Sequence, residues 1–403
     1  MNTSPSTRLH YLDATRAFAL LLGIVFHASL SFMPVFIGWA VMDVSTSYIA
    51  GGFALISHTF RMALFFLIAG FFSAMVLNKT RTRDFLQSRA VRLGVPFIVG
   101  WFLLRPLLVS GWIAGGQSMR GDVDISASLS QGFASLTNLP NELFVGTHLW
   151  FLYYLILFTL SAIVLRSCVL SRPGLYKATM ALGNKLVRFL AGAKSAPLLL
   201  AVPTACCLWW MNHWGIDTPD KSLVPLWPVF CLYFGCFLIG WAFQHNRERF
   251  QVYSCLSLFN GVLALISISV LIALTPYESQ PGYECYLWVK ALFCLAYGIT
   301  MWTLIPLTLG LCKKLFSSPK AWISYLSNAS YWLYLIHLPL VVALQIAVAE
   351  LSFHWVIKWV IVCASTLGIG LILYESLVKH SWVGRILNGW RKPEKVYAAK
   401  LSN

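Results

Sequence analysis

The sequence predicts an all-α polytopic membrane protein of about ten transmembrane helices, with both termini on the cytoplasmic side. Three observations predict it. The chain is 58% hydrophobic and 11% charged, with a mean hydropathy of +0.71, whereas a soluble domain carries about 25% charged residues. Its apolar residues gather into runs long enough to cross about 30 Å of hydrocarbon. Its basic residues collect in alternate connecting segments, the pattern that orients membrane proteins.

The runs fall near 12–36, 51–77, 93–113, 148–166, 197–212, 224–244, 252–274, 286–312, 322–348 and 354–378. The first is long and carries Arg16 and His27, which argues for a retained span rather than a cleaved signal. The second carries His58 and Arg61, and Arg89 and Arg92 lead into the third. His148 opens the fourth, and the fifth is short and contains proline. The sixth, seventh and eighth are almost free of charge, the ninth holds His337, and the tenth ends on Glu375. Around them the chain divides into a cytoplasmic N-terminus (1–11), a ten-helix domain (12–378) and a basic cytoplasmic tail (379–403). The longest outer loop, about 114–146, is rich in Gly and Ser and reads as a mobile or rim-forming segment.

Ten spans place 23 of the 30 basic residues on one side. They include Lys79, Arg81, Arg83, Arg89 and Arg92, then Arg166, Arg172, Lys177, Lys185, Arg188 and Lys194, and the tail. The opposite loops hold Arg120 and Lys221, but also Asp43, Asp122, Asp124, Glu142, Asp217, Asp220, Glu278, Glu284 and Glu350. This alternation sets both termini inside. It also accounts for the formal charge of +16 without nucleic acid as a partner. The 17 Trp and 16 Tyr suit the aromatic belts at the two interfaces. The ten Cys show no CxxC or Cys/His metal spacing, and most lie inside apolar runs, where a thiol behaves as a small hydrophobe. No metal and no structural disulfide are expected.

Ionisable groups inside spans are costly, so each is a candidate functional group. Arg16 and His27 are eleven residues apart, which on a helix leaves them about 20° apart on one face and about 16 Å apart along the axis. Asp13 precedes Arg16 by three residues, close enough to pair with it. In the second span His58 and Arg61 share a face, and Arg61 falls about 15 Å deep, near the level of His27. A cation and an imidazole meeting there require a polar or aqueous cavity. His148 with Trp150, and His337, stand in the outer halves of their spans. Glu375 lies level with Asp13 and Arg16 at the inner end.

Each residue also has a plain structural reading. His27 can hydrogen-bond between helices, and Arg89 and Arg92 can be flanking positive charges. His58 and His148 can face headgroups, while Asp13, Arg16 and Glu375 can form a purely structural ion-pair network. Arg61 is hardest to read that way, because an unpaired Arg at mid-membrane is expensive.

The residues LDATRAFALLLGIVFHASLSF (12–32), HTFRMALFFLIAGFFS (58–73), SRAVRLGVPF (88–97), THLWFLYYL (147–155), NASYWLYLIHLPL (328–340) and LYESL (373–377) together resemble the acyltransferase-3 family of membrane acyltransferases. Arg16 and His27 match its Arg-x10-His signature. Within the family, the likeness is nearest to the branch that succinylates osmoregulated periplasmic glucans, and it runs from about residue 8 to 378.

The resemblance implies a bacterial inner-membrane enzyme that takes succinyl-CoA from the cytoplasm as co-substrate, with no tightly bound cofactor. The acceptor would be a glucose hydroxyl of a periplasmic glucan. Arg89 and Arg92, with Arg16, would hold the CoA phosphates, since guanidinium groups suit phosphate oxygens. His27 would be the general base or would itself be acylated. Arg61 would hold the succinyl carboxylate or stabilise the thioester oxyanion. His58, His148, Trp150 and His337 would bind the acceptor, and Asp13 and Glu375 would hold Arg16. Membrane lipids are the other expected partner, and the oligomeric state stays open, a homo-oligomer included. Rival readings are an O-acetyltransferase of another envelope polysaccharide, a proton-coupled transporter and a non-catalytic scaffold for glucan assembly.

Overall fold

The computed structural model describes residues 9–137 and 147–389. Arg8, Glu142 and, in the predicted basic tail, Arg391, Lys392, Lys395 and Lys400 lie outside the described residues.

Among the described residues the chain is helical, without strands. Its helices are α1 (His10–Ser29), α2 (Tyr48–Leu77), α3 (Thr82–Arg89), α4 (Val95–Ser118), α5 (Ile125–Ala134), α6 (Trp150–Leu170), α7 (Pro173–Gly192), α8 (Ala196–Trp209), α9 (Trp227–His245), α10 (Arg247–Tyr253), α11 (Leu258–Leu274), α12 (Tyr286–Phe316), α13 (Ala321–Val348), α14 (Trp355–Leu373) and α15 (Trp382–Asn388). Nine helical stretches among the described residues are long and apolar enough to cross a membrane, or ten if α7 and α8 together make one span. The protein is therefore an all-α, multi-pass membrane protein.

Two regions depart from the sequence expectation. The fifth run corresponds to α8, whose 14 residues rise only about 21 Å, and α8 meets α7 at 119°. Lys177, Lys185 and Arg188 on α7 keep that helix out of hydrocarbon, so the chain must turn before it can enter. In the 114–146 segment, α4 runs on to Ser118 and α5 follows. Asp124 caps α5 by accepting from Ala127 N at 2.8 Å, worth about 1 kcal/mol. Arg105, buried in α4, donates through Nη1 to Ser135 O at 3.0 Å and Ser135 Oγ at 2.9 Å just beyond α5.

Helix α1 lies at the centre, packed against α2, α12, α13 and α14. The closest packing joins α2 to α9. A Cβ on Gly70 would stand 1.9 Å from Phe237 O, and one on Gly240 would stand 1.8 Å from Leu67 O. The two backbones therefore touch, as small residues permit between membrane helices. Residues 33–47, which join α1 to α2, are held by a buried ion pair. Lys358 Nζ of α14 lies 2.8 Å from Asp43 Oδ1 and donates to Ala349 O at 2.8 Å. The outward faces of α11 and α14 remain apolar, with Leu265, Ile266, Val360 and Ile372 exposed, as a lipid-facing surface requires.

Candidate active site

A cavity of about 1930 Å³ lies within the bundle. Arg16, Arg89, Arg92 and Tyr331 line one end, His27, His58, Arg61, His148, Trp150 and His337 its middle, and Trp39, Tyr48, Trp112, Asp220, Lys221 and Glu278 the other. The nine residues singled out for chemistry or substrate binding thus surround one space, although they come from five separate spans.

The basic end takes its shape from a proline. Pro96 has no N–H, so the Arg92 carbonyl four residues earlier has no helical donor. The chain answers with a π turn over Ala90–Gly94, and Tyr331 Oη donates to the freed Arg92 O. Arg89 Nη2 donates to Ser73 Oγ at 3.1 Å, its guanidinium 5.1 Å from the Phe85 ring centre. Arg92 Nη2 donates to Leu387 O at 3.2 Å. Arg16 approaches Asp13 at 4.0 Å and the Phe72 ring at 5.8 Å. Arg16 and Arg92 both lie within electrostatic reach of Arg89, so three like charges converge on one wall.

Glu375 does not join this group. It pairs with Lys379 at 2.6 Å and accepts from Tyr325 Oη at 3.0 Å, and no ion pair among the described residues links it to Arg16. A lysine one turn later on its own segment neutralises the carboxylate locally, which corrects the expectation that Glu375 holds Arg16.

At mid-cavity His27 and Arg61 meet around Phe26. The Arg61 guanidinium sits 4.2 Å from the Phe26 ring centre, and the His27 ring packs edge-on against that ring at 4.9 Å. Gly23, one turn before His27, faces the same guanidinium: a Cβ there would stand 3.8 Å from Arg61 Nη1, an ordinary contact. Arg61 is buried, and neither its Nη1 nor His27 Nδ1 has a hydrogen-bond partner. Such orphans are rare inside proteins and call for an explanation.

The other imidazoles are fixed by hydrogen bonds. Pro339 removes the donor that Leu335 O would meet within α13, and His148 Nε2 donates to that carbonyl at 2.8 Å. Tyr334 Oη donates to His148 O at 2.6 Å. His337 Nδ1 donates to Tyr334 O at 2.7 Å, which in the neutral ring leaves Nε2 as an acceptor. The His337 ring lies 5.3 Å from that of His27 and 5.5 Å from that of His148. His58 stacks on Phe26 at 5.6 Å and its Nδ1 lies 3.3 Å from Tyr297 Oη. Trp150 stacks on Tyr233 at 6.1 Å, a flat aromatic wall beside the imidazoles.

The arrangement combines a cluster of guanidinium groups, apolar wall residues such as Leu20, Phe65 and Ile68, and an imidazole beside an unsatisfied cation. Comparison with known proteins accords with it. An acyltransferase domain model of the acyltransferase-3 type matches residues 9–375. The chain belongs to the acyltransferase-3 family. It is similar to the glucans biosynthesis protein C of Salmonella typhi, Salmonella typhimurium and Salmonella heidelberg, each 25% identical over 386 residues, which is 93% of either chain. No solved structure matches it. This acyltransferase-3 member is thus a multi-pass membrane acyltransferase related to those proteins.

Sequence reasoning missed several residues that line the site or support it from behind. Lys358 stands inside an apolar run and carries the same signal as Arg61, but its partner Asp43 lies 315 residues away. Trp39 and Gln345, which contact the His27 segment, showed nothing in the sequence beyond one aromatic residue and one amide. Tyr297 carried no signal at all.

Proposed function

We propose that this protein moves a succinyl group from cytoplasmic succinyl-CoA to glucose hydroxyls of a periplasmic glucan, at the bacterial inner membrane. The observation that carries this reading is the pair of unpartnered buried groups, Arg61 Nη1 and His27 Nδ1, in a cavity that reaches the Arg16–Arg89–Arg92 cluster. The names of the related Salmonella proteins support a glucan acceptor.

Arg89, Arg92 and Arg16 bind the CoA phosphates, and the pantetheine arm lies along the α1 face from Arg16 towards His27. Arg61 takes the succinyl carboxylate. A buried cation without a counter-ion costs several kcal/mol, and a ligand with a permanent negative charge removes that cost in the ground state, which a transient oxyanion cannot. The glucose hydroxyl enters past His148, His337 and Trp150. His27 takes its proton as the oxygen attacks the thioester carbon. The tetrahedral adduct collapses, the C–S bond breaks, and the His27 imidazolium returns the proton to the departing sulfur. The products are the succinyl ester and CoA thiol.

The test uses purified protein in lipid nanodiscs with succinyl-CoA and glucan, following CoA release and glucan mass, with His27→Ala in parallel. Succinyl mass gained by the native protein alone supports the reading. Release only with acetyl-CoA overturns the donor, and an unimpaired His27→Ala removes His27 from the chemistry.

A further inference from the structure

We propose that Gln345 is the positioning residue for His27, holding with one side chain both the end of the helix that carries it and the indole stacked on it. The inference rests on the reading of His27 as the proton-transferring group.

A catalytic imidazole is usually aimed by a hydrogen bond to its second nitrogen. His27 has no such bond, since its Nδ1 lacks a partner. Its orientation must then come from its backbone and its ring faces, and Gln345 controls both. Helix α1 ends at Ser29 and the chain continues through a 3₁₀ turn, Leu30–Phe32. The carbonyls of His27 and Ala28 lie in the last turn, where His27 O accepts from the Leu30 N–H and keeps a second lone pair open. Gln345 Nε2 donates to both, at 3.0 and 3.2 Å.

The other half of the amide, Oε1, accepts from Trp39 Nε1 at 2.9 Å. The Trp39 ring stacks on His27 with centres 5.6 Å apart and planes 17° apart. The amide can sit in only one sense: an indole only donates and a carbonyl only accepts, so a flipped Gln345 would lose every one of these bonds. Gln345 is 1% exposed and lies 306 residues from Trp39 and 318 from His27. A buried amide in an apolar span is costly unless all its groups are paired, and here both ends are paired to the immediate surroundings of His27.

The test measures CoA release in nanodiscs with succinyl-CoA and glucan, with rates normalised to bound succinyl-CoA. Gln345→Met keeps the volume and removes both links. A misaimed group costs on the order of 100-fold, so kcat should fall by about that factor while KM for succinyl-CoA stays within about twofold. In a His27→Ala background the same substitution should lower the residual rate no further, whereas a general packing defect would lower it again. Native kcat in Gln345→Met, or an equal loss with and without His27, overturns the proposal. Should Gln345→Met fail to fold, Trp39→Phe breaks one link while keeping a ring over His27. It should lose about 10-fold in kcat on the same argument, with no loss when His27 is absent, and an unchanged kcat would count against Gln345. If His27→Ala alone turns over normally, the reading of the site has failed. If His27→Ala is slow and both other variants are fast, only the Gln345 inference has.

Discussion

Replacing Arg61 with Met should make the protein inactive towards succinyl-CoA and at the same time harder to unfold. Arg61 is 6% exposed, with Nη1 unpartnered, and no carboxylate among the described residues pairs with it. Its favourable contacts are the Phe26 face at 4.2 Å and its own packing. A cation–π contact gives about 2 kcal/mol when desolvated, less than the several kcal/mol needed to bury an ion. Met fills a similar volume without charge, and such replacements stabilise by about 1–4 kcal/mol. Thermal unfolding in detergent without ligand should show the gain. In the enzymatic assay, truncating one partner of a buried charge pair costs about 2–5 kcal/mol, so succinyl transfer should fall at least about 30-fold. Acetyl-CoA, which has no distal carboxylate, should lose far less. A variant that unfolds more easily, or that loses succinyl and acetyl transfer in equal measure, would refute the carboxylate assignment. Equal loss on both donors would move Arg61 to the thioester oxygen, where removing a donor costs about 100–1000-fold whatever the acyl group.

Other consequences follow from the packing. Arg89→Ala and Arg92→Ala should each raise KM for succinyl-CoA about tenfold, one charge-assisted hydrogen bond's worth at about 1.5 kcal/mol; KM for a succinyl-pantetheine thioester without the nucleotide phosphates should not change. Asp43→Ala strands Lys358, which is fully buried, and should cost about 3–5 kcal/mol in unfolding measurements, most of it recovered by adding Lys358→Met. Gly240→Leu forces a side chain onto Leu67 O, 1.8 Å from the first added carbon; it should part α2 from α9 and abolish the folded species on gel filtration. Pro339→Ala restores an N–H that competes with His148 for Leu335 O, so glucan KM should rise several-fold while thermal stability holds or improves, since Pro costs a helix about 3 kcal/mol.

The spans were legible because hydrocarbon accepts only long, internally hydrogen-bonded apolar segments, and that demand is local in sequence. The ionisable members of the site were legible for a related reason: His27, Arg61 and Arg16 stand where hydrocarbon tolerates no charge without purpose. Partners were not legible. Glu375 was assigned to Arg16 by depth alone, and Lys379, four residues on, takes it. The α7–α8 bend depends on Lys177, Lys185 and Arg188 outweighing the apolar residues between them. Helix α5 depends on an Arg105 contact that joins residues 30 positions apart and on an Asp124 cap that requires its turn already formed. Trp39, Gln345, Asp43 and Lys358 contribute through contacts that span most of the chain.

Two prolines connect these scales. A proline inside or at the start of a helix removes one N–H, and the carbonyl four residues earlier must find another donor. At Pro96 that carbonyl is Arg92 O, and the donor is Tyr331 of α13. At Pro339 it is Leu335 O, and the donor is His148 at the start of α6. Each substitute donor belongs to the cavity wall, so each proline fixes one level of the cavity: the basic end through Arg92 and Tyr331, the imidazole end through His148 and Leu335. Both bonds terminate on α13, the helix that also carries His337 and Gln345 and packs along α1. The arginine cluster and the imidazoles are therefore both referenced to α13, which packs along α1 and is tied to the His27 carbonyl through Gln345. Such a frame would hold the proposed thioester in register.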